Sequence, residues 1–299
     1  DGQVWRFFSG FSVEYDDPRL DAVYSHYEQN LRDIIKLLQD KNMHVIVSSV
    51  PVNLRHSAPF GSSHKDALSD ADKQRWSTLN QQAEEAFTNQ DWPLAQQAFL
   101  ALLDIDDEYA DTHFRLASVL EHLDEFEQAE QHFQAALKYD TKRFRTDGVL
   151  NDIIMKVAED TSGDAFAFVN SVEKFAKASQ PNVPGWDLLH EHVHFDYAGN
   201  YVLARAFTAA IMADIKPSEP FTELASDDAA ERIGFPNHET NQVMNRLLGM
   251  INKAPFTEPI NHAELAALTE TRRAQIVKQE GRPTKEQLRG HKKLREGHG

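Results

Sequence analysis

Trp92-Pro93-Leu94-Ala95-Gln96-Gln97-Ala98-Phe99 returns 34 residues downstream as Phe126-Glu127-Gln128-Ala129-Glu130-Gln131-His132-Phe133. The aromatic pair Trp92/Phe126, the small pair Ala95/Ala129 and the pair Phe99/Phe133 keep their places, as do Ala83/Ala117 and Leu103/Leu137. Small residues let two helices approach closely, and aromatics fill the groove between successive units. The stretch therefore predicts two helix–turn–helix repeats, residues 76–109 and 110–143, within an all-α segment over 71–143. Such units bury their faces by stacking, usually about three or more together. Helices around Leu79 and over Val149–Val157 are expected to cap the pair.

The flanks read differently. Val23, Tyr27, Leu31, Ile34, Ile35 and Leu38 recur at helical spacing over residues 20–40. His44-Val45-Ile46-Val47-Ser48-Ser49-Val50 is a β-branched run closed by Pro51, the pattern of a buried parallel strand. Past the repeats come a helix over 144–158, a second short strand over 165–169, a helix over 172–179, and a helix over 200–215. Pro217 and Pro220 mark a boundary, followed by helices over 223–252 and 261–280 and a charged tail after Gly281. Four segments follow: 1–70 and 144–216 as two parts of an α/β domain, 71–143 as an insertion, and 217–299 as a helical extension. The aromatics Trp5, Phe7, Phe8 and Phe11 read as a packing cluster.

Of the 299 residues, 41 % are apolar and 26 % charged, ordinary for a globular protein. The net charge of −16 argues against nucleic acid or an anionic membrane surface, which need clustered positive charge. Nine Lys/Arg and three Asp/Glu fall in residues 271–299, leaving about −22 on the rest. With no cysteine, disulfides, thiolate nucleophiles and Cys-based zinc sites are excluded. No apolar run approaches the ~20 residues of a membrane span. The first residue is Asp1, and a start signal, with whatever lay upstream of it, is expected to have been removed. The compartment is undetermined, and an upstream anchor is compatible with the sequence.

Leu189-His190-Glu191-His192-Val193-His194-Phe195-Asp196-Tyr197-Ala198-Gly199 carries the chemistry. A histidine removes a proton from an alcohol near neutral pH, best when a carboxylate fixes its tautomer. Glu191, three residues before His194, is placed to do so. Gly199 then permits a tight approach before an apolar helix. A second register, Asp187 with His190, puts Phe195 where the glycine belongs. His190, His192 and His194 alternate and would share one face of an extended segment, but nothing else in the spacing supports a metal. No metal or cofactor is expected. Asn53, Arg55 and Arg145 are candidates for holding a polar or anionic substrate group, whereas Ser48 and Ser49 read as structural.

The segment resembles the last block of the SGNH (GDSL-type) hydrolase superfamily, with Glu191 in the place of the acid, His194 of the base and Gly199 of the glycine. Glu replaces the usual Asp. Val50-Pro51-Val52-Asn53-Leu54-Arg55, Ala58-Pro59-Phe60, the repeats, Arg143-Phe144-Arg145-Thr146-Asp147 and Pro255-Phe256-Thr257 resemble a bacterial subgroup that fuses tetratricopeptide repeats with this hydrolase domain. The likeness covers roughly residues 4–270. It implies a partial three-layer α/β/α domain interrupted by the repeat pair, and ester hydrolysis or acyl transfer on an acylated small molecule or glycan. It also implies a protein or peptide partner at the repeats. The superfamily's nucleophile lies on a Gly-Asp-Ser turn with oxyanion donors. Gly163-Asp164-Ala165 has Ala where Ser is needed, and Asn151-Asp152 lacks its glycine, so these groups are expected upstream of residue 1. The chain alone is then expected to be inactive. The alternative is a non-catalytic repeat scaffold that binds protein.

Overall fold

The computed structural model describes residues 11–163, 165–215, 222–233 and 237–279. Trp5, Phe7 and Phe8, Asp164, the boundary at Pro217 and Pro220, and the charged tail lie outside the described residues. Two compact units emerge: residues 1–217 with 258–260, and residues 218–257 with 261–299.

In the first unit, helix α1 (Arg19–Asp40) leads into strand β1 (Val45–Ser48). Four helices follow: α2 (Asp70–Thr88), α3 (Trp92–Leu103), α4 (Ala110–His122) and α5 (Phe126–Tyr139). Helix α6 (Gly148–Asp160), strand β2 (Phe166–Val169), α7 (Ser171–Ala178) and α8 (Tyr197–Ile215) complete it. The second unit holds α9 (Ser226–Arg232), α10 (Asn237–Ile251) and α11 (His262–Gln279). Within it, Met244, Leu247, Leu248 and Ile251 of α10 are buried together with Phe256.

The α2–α5 helices form two like-built units. Each turn places one residue in the left-handed region, Gln90 at φ 58° and Asp124 at φ 60°, again 34 positions apart. Ser69 caps α2 by accepting from Asp72 N at 3.1 Å, and Asp91 caps α3 by accepting from Leu94 N at 3.3 Å, which satisfies otherwise orphaned amides. Ala83, Ala95, Phe99, Leu102, Leu116 and Ala117 are fully buried. This core does not stop at the repeats. Val52, Leu54, Ala58 and Val183 belong to it, and Val193 packs against it.

β1 and β2 pair in parallel, Val45 opposite Phe166 and Ser48 opposite Val169, so the chain closes a strand pair across the repeats. They are the only strands longer than a single bridge among the described residues. Helix makes up 61 % and strand 4 % of the described residues, which overturns the expected three-layer α/β/α architecture. The protein is of the helical class. The physical reason is plain. A sheet layer needs several strands, and outside these two four-residue runs the described residues form helices, loops and one isolated bridge. No helix among the described residues is long and apolar enough to cross a membrane.

Candidate functional site

Segment 185–196 folds back on itself. Leu189 and Phe195 form an antiparallel bridge, His190 N donates to His194 O at 2.8 Å, and Asp196 N donates to Leu188 O at 3.0 Å. Leu188, Leu189 and Phe175 are buried in one cluster, with Phe195, Ala198, Val202 and Leu203 of the following helix against it. Gly199, in the first turn of α8, lies against this turn. A Cβ there would come 2.2 Å from Leu188 O, so no other residue fits without moving backbone. Asp196 Oδ1 accepts from Gly199 N at 2.9 Å.

At the tip, Glu191 turns inward and His194 outward. The Glu191 side chain is 1 % exposed and that of His194 is 69 % exposed. Glu191 Oε1 accepts from His194 N at 2.7 Å and lies 2.5 Å from His194 Nδ1. Its Oε2 accepts from His192 N at 2.9 Å and touches the His192 ring. A buried carboxylate needs such donors. With Nδ1 engaged, Nε2 has no hydrogen-bond partner among the described residues and stands on the exposed ring. That arrangement places a lone pair where a proton can be accepted from outside.

His192 is different. Its ring is buried, edge-on to Phe60 at 5.1 Å. Burial, then the Arg145 charge and His194, push its pKa down to about 3. It is a neutral neighbour of the carboxylate, leaving His194 as the ring that solvent reaches. Asp187 does not pair with His190; its Oδ1 accepts from Gly185 N at 2.9 Å. Among the described residues no group of three His, Cys, Asp or Glu side chains is arranged to hold a metal.

The three candidates for substrate contact are built into the framework instead. Asn53 is wholly buried. Its Nδ2 donates to Glu191 O at 3.0 Å and its Oδ1 accepts from His56 N at 2.9 Å. Arg145 Nη1 donates to Asn53 O at 3.0 Å and Ser57 O at 2.7 Å, and Nη2 donates to Asp140 Oδ2 at 3.0 Å. Arg55 pairs with Glu121 at the end of α4 and reaches Gln180 O. Ser48 and Ser49 bond to Ser171 and Asn170 past β2, and Asn151 bonds to the Val50 backbone. None of these groups contacts the His194 ring.

Two partnerships were not visible in the sequence. His56 stacks on Trp186 with centroids 4.5 Å apart and receives Trp186 N at its Nδ1; a Cβ on Gly185 would collide with that ring. His64 Nδ1 lies 2.7 Å from the buried Asp106. Both join residues far apart in the chain, and no local spacing signals them.

Compared with protein-family models, curated proteins and solved structures, the chain finds a match in none of the three.

Proposed function

We propose that this chain carries the proton-transfer half of a serine-dependent acyl-transfer site of the SGNH type, acting in ester hydrolysis or transfer. One observation carries the reading: the buried Glu191 carboxylate 2.5 Å from Nδ1 of the exposed His194. In the proposed reaction a serine Oγ attacks the ester carbonyl carbon while its proton passes to His194 Nε2. Glu191 holds the Nδ1–H tautomer and stabilises the imidazolium. The tetrahedral intermediate expels the alcohol, which takes the proton from Nε2. Water repeats the cycle on the acyl-serine. Among the described residues no serine hydroxyl bonds to His194, and the proposal takes the nucleophile and its oxyanion donors from outside residues 1–299.

Turnover of p-nitrophenyl acetate tests this. The natural polypeptide containing these residues should hydrolyse it, and His194→Ala should lower kcat by about 10⁶-fold. Residues 1–299 alone should be inactive; substantial turnover abolished by His194→Ala would place the nucleophile inside them. Equal turnover with and without His194 in the natural polypeptide would sink the proposal. A second reading, a protein-binding tetratricopeptide scaffold, is supported by the completeness of the two packed repeats. A natural polypeptide that binds a partner but lacks His194-dependent turnover would favour it.

A further inference from the structure

We infer that Asn53 is the positioning residue of the Glu191–His194 pair and that the second repeat supplies its anchor. The inference rests on the acyl-transfer reading above. Asn53 sits at the crossing of four bonds. Its backbone N donates to His192 O at 3.0 Å, and its Nδ2 donates to Glu191 O at 3.0 Å. Consecutive carbonyls of the turn, those of Glu191 and His192, are therefore gripped by one residue, just C-terminal to the Glu191 Cα. Its Oδ1 accepts from His56 N, and its own carbonyl accepts from Arg145. All of its hydrogen-bonding groups face protein, and the side chain is 0 % exposed.

The anchor continues to the repeats. Arg145 is 5 % exposed and bridges Asn53 O, Ser57 O and the Asp140 carboxylate just past α5. Asp140 in turn accepts from Phe60 N and Gly61 N. A continuous path of buried polar contacts thus runs from the end of the second repeat through Arg145 and Asn53 to the peptide carbonyls around Glu191. Val193, between His192 and His194, packs on the repeat core beside it. Glu191 points at Nδ1 only if its peptide is held, because its carboxylate also serves two amides of the same turn. Fixing the Glu191 carbonyl and the one after it restrains the backbone from which that side chain projects. A displacement of about an ångström at such a group is costly to catalysis.

The test reads the imidazole rather than turnover. Long-range ¹H–¹⁵N correlation spectra of the protein at pH 8 report which His194 nitrogen bears the proton. In the wild-type chain the Nδ1–H form should dominate. Asn53→Asp keeps size, shape and the acceptor for His56 N and, ionised at pH 8, sets a negative oxygen in place of the donor to Glu191 O. It should leave the chain folded by circular dichroism and shift His194 several-fold toward the Nε2–H form. Asn53→Ala should do the same or more. Ser57→Ala, which keeps the backbone carbonyl used by Arg145, should leave the tautomer unchanged. Folded variants with the wild-type tautomer would overturn the inference. So would loss of folding in both Asn53 variants, since the residue would then be structural only. A wild-type chain lacking the Nδ1–H form would instead sink the acyl-transfer reading itself, which separates the two failures.

Discussion

The repeat pair and the strand pair treat their apolar residues in opposite ways. In the repeats, Phe99, Leu102, Leu116 and Phe133 are almost wholly buried, in a core that two helical hairpins share with Val52, Leu54, Ala58 and Val183. In the strand pair, Val45 is buried but Ile46 and Val47 are only partly so, and β2 is half-buried at Phe166, Ala167 and Phe168. Ile211 and Ile215 of α8, which with the strands line an open cleft of about 1080 Å³, are 44 % and 60 % exposed. The candidate site leans on the first kind of packing. Asn53, Arg145 and Val193 attach its turn to the repeat side, and a second small cluster under Phe175 holds its other flank. The lesson is that a repeat read as a separate interaction module serves here also as the site's foundation.

Truncations sharpen the contrast most. Phe133→Ala should cost about 3–5 kcal/mol of stability, the range for a buried aromatic, whereas Val47→Ala in the half-buried strand should cost roughly 1 kcal/mol. Chemical denaturation measures both, and equal losses would erase the distinction. Gly199→Ala tests the clustered flank of the turn. The clash with Leu188 O should destabilise by about 2–3 kcal/mol and disturb the His194 ring with it.

Two pH effects inside the repeats come next. His132 lies with its Nδ1 2.9 Å from that of His113, and burial, then His113, lower its pKa to about 4. The unfolded chain binds that proton more readily, so this contribution is complete above about pH 6.5 and is lost as pH falls toward 4. Stability should drop by roughly 1–2 kcal/mol between pH 7 and 5 from this group, and His132→Gln should flatten the slope. Asp111 has the opposite sign. Burial raises its pKa to about 6, so its favourable contribution is present below the unfolded value near 3.8 and is lost as pH rises through 6. Asp111→Asn should therefore stabilise the repeats by about 1 kcal/mol at pH 8 and by less at pH 5. Thermal melts at pH 5, 7 and 8 check both signs.

Much of the helical layout was legible because its signals are local. The 34-residue return of Ala95 and Phe99 points to the repeats, and the spacing of Tyr27, Leu31 and Ile34 marks α1. Strand β1 was legible from its β-branched run. The α/β expectation rested on a helix running into a β-branched strand, and its three-layer form on the family resemblance; two four-residue strands do not build that sheet. At the site, the spacing of Glu191 and His194 pointed to a pair that the structure brings together. The part of Asn53 and Arg145 was not legible. A buried Arg and a surface Arg look alike in sequence, and their partners, Asp140 and the carbonyls of Ser57 and Glu191, are chosen by tertiary packing.

Carbethoxylation of histidines by diethyl pyrocarbonate, followed residue by residue by mass spectrometry, tests most directly whether a sequestered acid makes an outward-facing imidazole nucleophilic. His194 should react well ahead of the buried His192 and His113, and Glu191→Gln should slow its reaction several-fold while leaving the exposed His44 unaffected. An unchanged His194 rate in the folded Glu191→Gln protein would contradict the account.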